Sequence, residues 1–343
     1  MRLATSLGLA VLLGACTPEV QTIGSAVEQA RIEPAHLATA DGARLPLRRW
    51  QLQAEPRFAV LALHGFNDYS SAFEAAGRRW AEAGAAVYAY DQRGFGGTAQ
   101  RGVWAGDDRL SEDAASAVAL IRARHPGLSV FVVGESMGGA VAMATFARPD
   151  APKIDGLVLV APAVWGRSTM NPLYRLVLWS GAHLAPGAIV TGRGLRRQAS
   201  DNIPMLIALG RDPLVIKETR VDSLWGLVGL MDGALEAAPR LALPTLVLYG
   251  ERDEIVPPHA TKRMLETLAA PHRLAVYPEG WHMLLRDLKA RVPQDDILAW
   301  FEDRRAALPS GAETEALARL EKGFARRAPP GPMTAGGSAQ VKE

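Results

Sequence analysis

The pentapeptide Gly134-Glu135-Ser136-Met137-Gly138 sets a serine hydroxyl between two glycines. The apolar run Leu128-Ser129-Val130-Phe131-Val132-Val133 precedes it, and the small residues Gly139 to Ala144 follow with a helical pattern. Strand, sharp turn and helix in that order form the setting of a nucleophile elbow. The glycines permit a strained turn, from which the hydroxyl projects at the strand end. A helix that starts at the serine also aims free backbone N–H groups at any oxyanion formed there. The chemistry this suits is attack on an acyl carbon.

A serine hydroxyl is a weak nucleophile. It needs a base to take its proton and an acid to orient that base. For this elbow the chain order is serine, then Asp or Glu, then His. The search therefore runs through strand ends after Ser136. The apolar run 245–249 is followed by Gly250-Glu251-Arg252-Asp253-Glu254. Of its three carboxylates we assign Asp253, whose short side chain holds an imidazole more rigidly than a glutamate would. The run 274–277 is followed by Pro278-Glu279-Gly280-Trp281-His282. His282 is the expected base. His272 precedes that strand, His259 sits in the acid loop as the weaker rival, and His183 lies in a region without strand signals.

The oxyanion needs two backbone N–H donors. One is expected from Met137, the residue after the nucleophile. The other is expected from the loop His64-Gly65-Phe66-Asn67-Asp68 that follows the run 58–63, and Phe66 is assigned to it. His64 precedes the serine in sequence and is read as structural.

Positioning these loops requires a sheet. Residues 57–63, 85–90, 128–133, 156–161, 244–250 and 273–277 read as near-continuous apolar strands. Residues 72–83, 111–124, 260–269 and 295–307 read as helices between them, with Ser111 as the N-cap of the second. Buried strands alternating with helices predict an α/β fold with a mostly parallel sheet and helices on both faces. The rhythm breaks between 163 and 240, where only helical patterns occur, around 173–183, 202–209 and 219–237. We read 163–240 as a helical cap inserted between core segments 32–162 and 241–308. Residues 309–343 read as a charged helix followed by a disordered Pro/Gly-rich tail.

The composition fits this reading: of 343 residues, 48% are hydrophobic and 22% charged, as in an ordinary globular protein. The net charge of +2 comes with no long basic block, which leaves no electrostatic footprint for nucleic acid. Arg193, Arg196 and Arg197 form a small cluster, read as a solvated face. No metal-ligand cluster and no dinucleotide fingerprint is present, so no cofactor is expected.

The single cysteine, Cys16, excludes an intramolecular disulfide. A positive start, the apolar run Leu7–Leu13 and small residues before Cys16 have the layout of a secretory signal, too short to span a bilayer. Leu13-Gly14-Ala15-Cys16 also resembles the lipobox of bacterial lipoproteins. That resemblance implies removal of 1–15, a lipid on Cys16 and a tether over 16–31. It implies an exported, membrane-anchored protein, and Thr17 rather than aspartate leans toward the outer membrane facing the periplasm.

The motifs taken together resemble the monoacylglycerol lipase and lysophospholipase branch of the α/β-hydrolase superfamily, which includes serine aminopeptidase S33-type hydrolases. The residues concerned are His64-Gly65-Phe66, Asp91-Gln92-Arg93-Gly94-Phe95-Gly96-Gly97-Thr98, the elbow, Gly250 to Pro257 and Gly280-Trp281-His282, in order over about residues 40–305. The resemblance implies the triad Ser136, Asp253 and His282, oxyanion donors Phe66 and Met137, and a cap that shapes an acyl pocket for a lipid-like or small ester. It implies structural support from Asp91 and Arg93. Phe66 stands where a smaller residue is common, which predicts a narrower acyl channel. The apolar cap stretches 173–179 and 224–231 would line a tunnel, touch a bilayer or pack the cap onto the core. Acyl transfer at a membrane and peptide hydrolysis use the same triad and stand as alternatives. A non-catalytic lipoprotein that binds through the fold is the non-enzyme alternative.

Overall fold

The computed structural model describes residues 17–22, 24–192, 197–269 and 271–327, with side chains described to residue 323. Cys16, the expected signal 1–15, Arg193, Arg196 and the tail 328–343 lie outside the described residues.

Strands run β1 Arg31–Ile32, β2 His36–Ala38, β3 Arg44–Trp50, β4 Phe58–Leu63, β5 Ala85–Tyr90, β6 Val130–Glu135, β7 Gly156–Val160, β8 Ile189–Thr191, β9 Glu218–Arg220, β10 Thr245–Gly250 and β11 His272–Tyr277. All but β8 and β9 form one sheet, in the order β1-β2-β3-β5-β4-β6-β7-β10-β11. The β1, β2 and β3 ladders are antiparallel, β3 to β5 included; every pair from β5 to β11 is parallel. The central strands are apolar on both faces because both faces are covered. In β4, Phe58, Val60 and Ala62 enter one core, while Ala59, Leu61 and Leu63 enter the other.

Helices run α1 Glu74–Glu82, α2 Asp107–Arg124, α3 Met137–Phe146, α4 Pro172–Leu184, α5 Ile203–Arg211, α6 Val221–Ala237, α7 Pro258–Thr267, α8 Arg291–Glu302 and α9 Ala316–Arg327. α1 and α8 cover one face through Trp80, Ile297, Trp300 and Phe301. The Phe301 ring stacks on Phe131 of β6 at 4.6 Å. α2 and α3 cover the other face through Leu110, Ala114, Ile121, Ala140 and Met143. That core continues into Leu227, Leu230 and Ala234 of α6, so α6 is packed on the body.

Three local expectations are corrected. α2 begins at Asp107, four residues before the expected cap; Ser111 is buried inside the helix. Asp107 and Asp108 in its first turn supply the favourable negative charge at the N-terminus. Residues 163–240 are not wholly helical, since β8 and β9 pair antiparallel there, Ile189 opposite Arg220. The segment from 17 is not a free tether. Val20 bridges to Trp104, Gln21 N–H donates to the Trp104 carbonyl at 2.8 Å, and Val27 N–H donates to Ala40.

Candidate active site

β6 delivers Ser136 at its C-terminal end, and α3 begins one residue later. Ser136 has φ 52° and ψ −115°, a conformation L-residues rarely adopt. The flanking glycines are dictated by closeness. A Cβ on Gly138 would lie 2.0 Å from the Leu63 carbonyl oxygen, and one on Gly134 would lie 2.4 Å from that of Gly138. Leu63 ends β4, so the bare Gly138 lets the serine turn sit against the neighbouring strand end, while the bare Gly134 lets the turn close on itself.

The parallel register brings the remaining loops to the same edge of the sheet. His282 Nε2 lies 3.0 Å from Ser136 Oγ, and His282 Nδ1 lies 2.9 Å from Asp253 Oδ2. A carboxylate only accepts, so Nδ1 carries the hydrogen and Nε2 faces the serine as acceptor in the neutral ring. Asp253 Oδ1 accepts from the N–H groups of Ile255 and Val256 at 2.7 and 3.0 Å. Those bonds hold the carboxylate, which is fully buried. Burial pushes the His282 imidazolium down. The charge and hydrogen bond of Asp253, together with the charge of Glu135, outweigh burial, so its pKa lies above the ordinary imidazole value.

The competing groups are used elsewhere. Glu254 accepts from Gln198 N–H, and Glu251 pairs with Arg319 at 3.8 Å. His259 contacts the Thr169 carbonyl at 3.3 Å, at the start of α7. His183 stacks on Trp179 within α4. His64 is fully buried; its Nε2 accepts from Gln92 N–H at 2.9 Å, and its Nδ1 meets the Gly65 carbonyl at 2.8 Å. Burial lowers its pKa, and both ring nitrogens are engaged in the neutral form. His64 thereby braces the loop after β4.

The loop after β4 lies against the nucleophile: a Cβ on Gly65 would be 3.4 Å from Ser136 Cβ. Among the described residues, no backbone hydrogen bond engages the N–H of Phe66 or Met137. The Phe66 ring packs edge-on to Phe95 at 5.4 Å and tilted against Trp104 at 6.4 Å. Asp91 accepts from Ser70 and Gly97 N–H groups, while Arg93 pairs with Asp41 and Asp113.

Sequence reasoning missed a buried ionic hub beside the serine. Arg286 pairs with Asp68 at 2.7 Å and with Glu135 at 3.3 Å. Burial raises the Glu135 pKa, against the pull of Arg286. Asp68 is on the Phe66 loop, Glu135 precedes the nucleophile, and Arg286 follows His282 by four residues. The available signal was an arginine four residues after the histidine. A second support is Asp287, which accepts from Trp281 N–H at 2.8 Å and from Ser200 Oγ at 2.6 Å. Burial pushes its carboxyl up to about 6. Among the described residues there is no cluster that could hold a metal ion.

Fold and site together define a serine hydrolase built on the α/β-hydrolase scaffold. The family described as Serine aminopeptidase, S33 matches residues 54–289, and the chain belongs to that family. It is 28% identical over 267 residues to a monoacylglycerol lipase of Mycolicibacterium smegmatis, covering 77% of this chain and 94% of that protein. It is 26% identical to a human monoglyceride lipase, over 74% of this chain and 84% of the relative. Among solved structures, a soluble variant of the Saccharomyces cerevisiae monoglyceride lipase in complex with a substrate analog aligns with TM-score 0.68. That alignment has 20% identity and covers 84% of this chain and 99% of that one. The last likeness concerns the fold.

Proposed function

We propose that this chain hydrolyses monoacylglycerol-type carboxylic esters through an acyl-enzyme on Ser136. The observation that carries the reading is the continuous relay from Ser136 Oγ through His282 to Asp253, beside two backbone N–H groups without a backbone partner. Ser136 Oγ attacks the ester carbonyl carbon as His282 Nε2 takes its proton. The carbonyl electron pair moves onto oxygen, held by the Phe66 and Met137 N–H groups. Collapse expels the glycerol alkoxide, which takes the proton back from His282. Water then repeats the sequence on the acyl group and frees the acid and the serine. Asp253 stabilises the imidazolium in both halves. Losing one oxyanion donor typically costs about 10²–10³ in rate.

The substrate class is supported by the two lipase relatives above and by the apolar residues that the cap presents. The test is turnover of monoacylglycerols of graded chain length against lysophosphatidylcholine, p-nitrophenyl esters and aminoacyl amides. Preference for monoacylglycerol supports the reading; preference for an amide overturns it.

Membrane attachment through a diacylglyceryl thioether on Cys16, with the catalytic body on the periplasmic side of the outer membrane, is the companion proposal. Its support is the Leu13-Gly14-Ala15-Cys16 pattern. Cys16→Ser is expected to release the protein from membranes, and unchanged fractionation contradicts it.

A further inference from the structure

The segment after Cys16 is strapped onto the corner between cap and core. Arg220 Nη2 donates to Glu19 Oε2 at 2.6 Å, and Glu19 N–H donates to Asp222 Oδ2 at 3.3 Å. Gln21 Nε2 donates to the Val103 carbonyl at 2.9 Å, next to the Val20–Trp104 bridge. Two chain regions separated by some 200 residues in sequence, 17–22 and 218–222, are thus joined. The same corner ties cap to core, because Ser223 Oγ donates to the Gly102 carbonyl at 2.6 Å.

Apolar surface lies around the strap. Arg220 stands opposite Ile189 in the β8–β9 ladder, and Val221 N–H donates to the Ala188 carbonyl. The start of α6 touches the C-terminal half of α4, since a Cβ on Gly181 would lie 3.1 Å from Val221 Cγ1. On α4, Leu173, Leu176, Val177 and Leu184 share a helical face by their spacing, and each is at least 60% exposed. Ile189, Val190 and Val20 are exposed as well. Several large apolar side chains left exposed on one helix face and on the neighbouring strand are a feature of interaction sites. The chain itself says what covers it: Cys16 is three residues from Glu19, about 11 Å of fully extended backbone at most.

We infer that residues 17–22 act as a short strap which makes the Cys16 anchor hold the apolar face of α4 and β8 against the bilayer. This rests on the lipidation reading above. A lipid on Cys16 enters the membrane beside the cap, so the body does not float on a long leash. The partner is a lipid surface, and the strap fixes which side of the enzyme meets it.

The experiment uses the full chain in membranes, with Leu176→Cys carrying an environment-sensitive dye and lipid-borne quenchers in the bilayer. Metabolic labelling with a radioactive fatty acid reports lipidation separately. In the strapped protein the dye is quenched by lipid. In a variant with about ten Gly/Ser residues inserted after Thr17, a flexible coil of about 17 Å, quenching is lost while lipid label and membrane sedimentation stay. Glu19→Arg, which opposes Arg220, gives the same loss without lengthening the chain. Turnover of a water-soluble ester is unchanged in both. A lipidated strapped protein whose dye stays in water overturns the inference alone. A dye shielded from water but unquenched by lipid assigns the face to a second copy and also overturns it. Absence of fatty-acid label overturns the lipidation reading and this inference together.

Discussion

Arg286 Nη1 lies 2.7 Å from Asp68 Oδ2, an ion pair that fastens the His282 loop to the Phe66 loop inside the protein. The second arm of the same guanidinium reaches Glu135, the residue before the nucleophile. One side chain therefore spans three of the four loops that the chemistry needs, the Asp253 loop being the fourth. Arg286→Ala leaves two buried carboxylates facing no cation, and such losses cost about 3–5 kcal/mol of stability. Denaturant unfolding checks this. Arg286→Lys is expected to recover part of the loss, because a point charge cannot reach both carboxylates as a fork does. Turnover in Arg286→Lys should fall in kcat more than in KM, as for a residue that positions reacting groups.

Among the carboxylates of the acid loop, only Asp253 touches His282. Asp253→Asn is expected to lower kcat by roughly 10⁴, by analogy with loss of the acid in serine-protease triads. Glu251→Gln and Glu254→Gln should stay close to wild type. A large loss in either glutamate variant, with Asp253→Asn active, would reassign the acid.

The backbone at Ser136 is strained, and glycine would relieve that strain. Residues held in such regions cost on the order of 1–3 kcal/mol. Ser136→Gly is therefore expected to raise stability by about 1 kcal/mol, after the extra freedom of glycine in the unfolded chain is subtracted. It abolishes ester turnover at the same time. A fall in the melting temperature would show that the turn is not strained by its side chain.

The pH profile follows from His282. The base must be neutral, and its pKa is raised from 6.5 because Asp253, with help from Glu135, outweighs burial. The acid limb of kcat/KM should lie above 6.5, with activity rising through it. In Asp253→Asn the raising groups are mostly gone while burial remains, so residual activity should show a limb shifted to lower pH. For stability the sign is opposite to activity. A raised imidazole pKa adds stability that is fully present below its unfolded value and is lost as pH rises through the folded one. An acid limb below 6.5 in the wild type would contradict the account.

Much of the site was legible because its parts are local. Ser136 follows an unbroken apolar strand, and Asp253 and His282 sit a few residues past two others, so chain order and strand ends were enough to select them. The central strands were legible because burial on both faces leaves continuous apolar runs. What escaped was set by contacts distant in sequence. Arg286 and Asp68 are loop charges whose pairing no local pattern reveals. Residues 17–22 read as a tether because they are polar, yet Trp104 and Arg220 fix them. β8 is only Ile189–Thr191, too short for a pattern, and exists because β9 pairs with it. At α2 the error was of a different kind: Ser111 was a plausible cap, and two acidic residues upstream outranked it.

The central claim is that Ser136 becomes acylated during ester hydrolysis, with His282 as its base. The direct measurement is mass spectrometry of the protein after a fluorophosphonate probe, alongside monoacylglycerol turnover, for wild type, Ser136→Ala and His282→Ala. The expected result is an adduct on the peptide that contains Ser136, none in Ser136→Ala, strongly slowed labelling in His282→Ala and turnover only in wild type. Equal labelling or equal turnover in folded Ser136→Ala protein would contradict it.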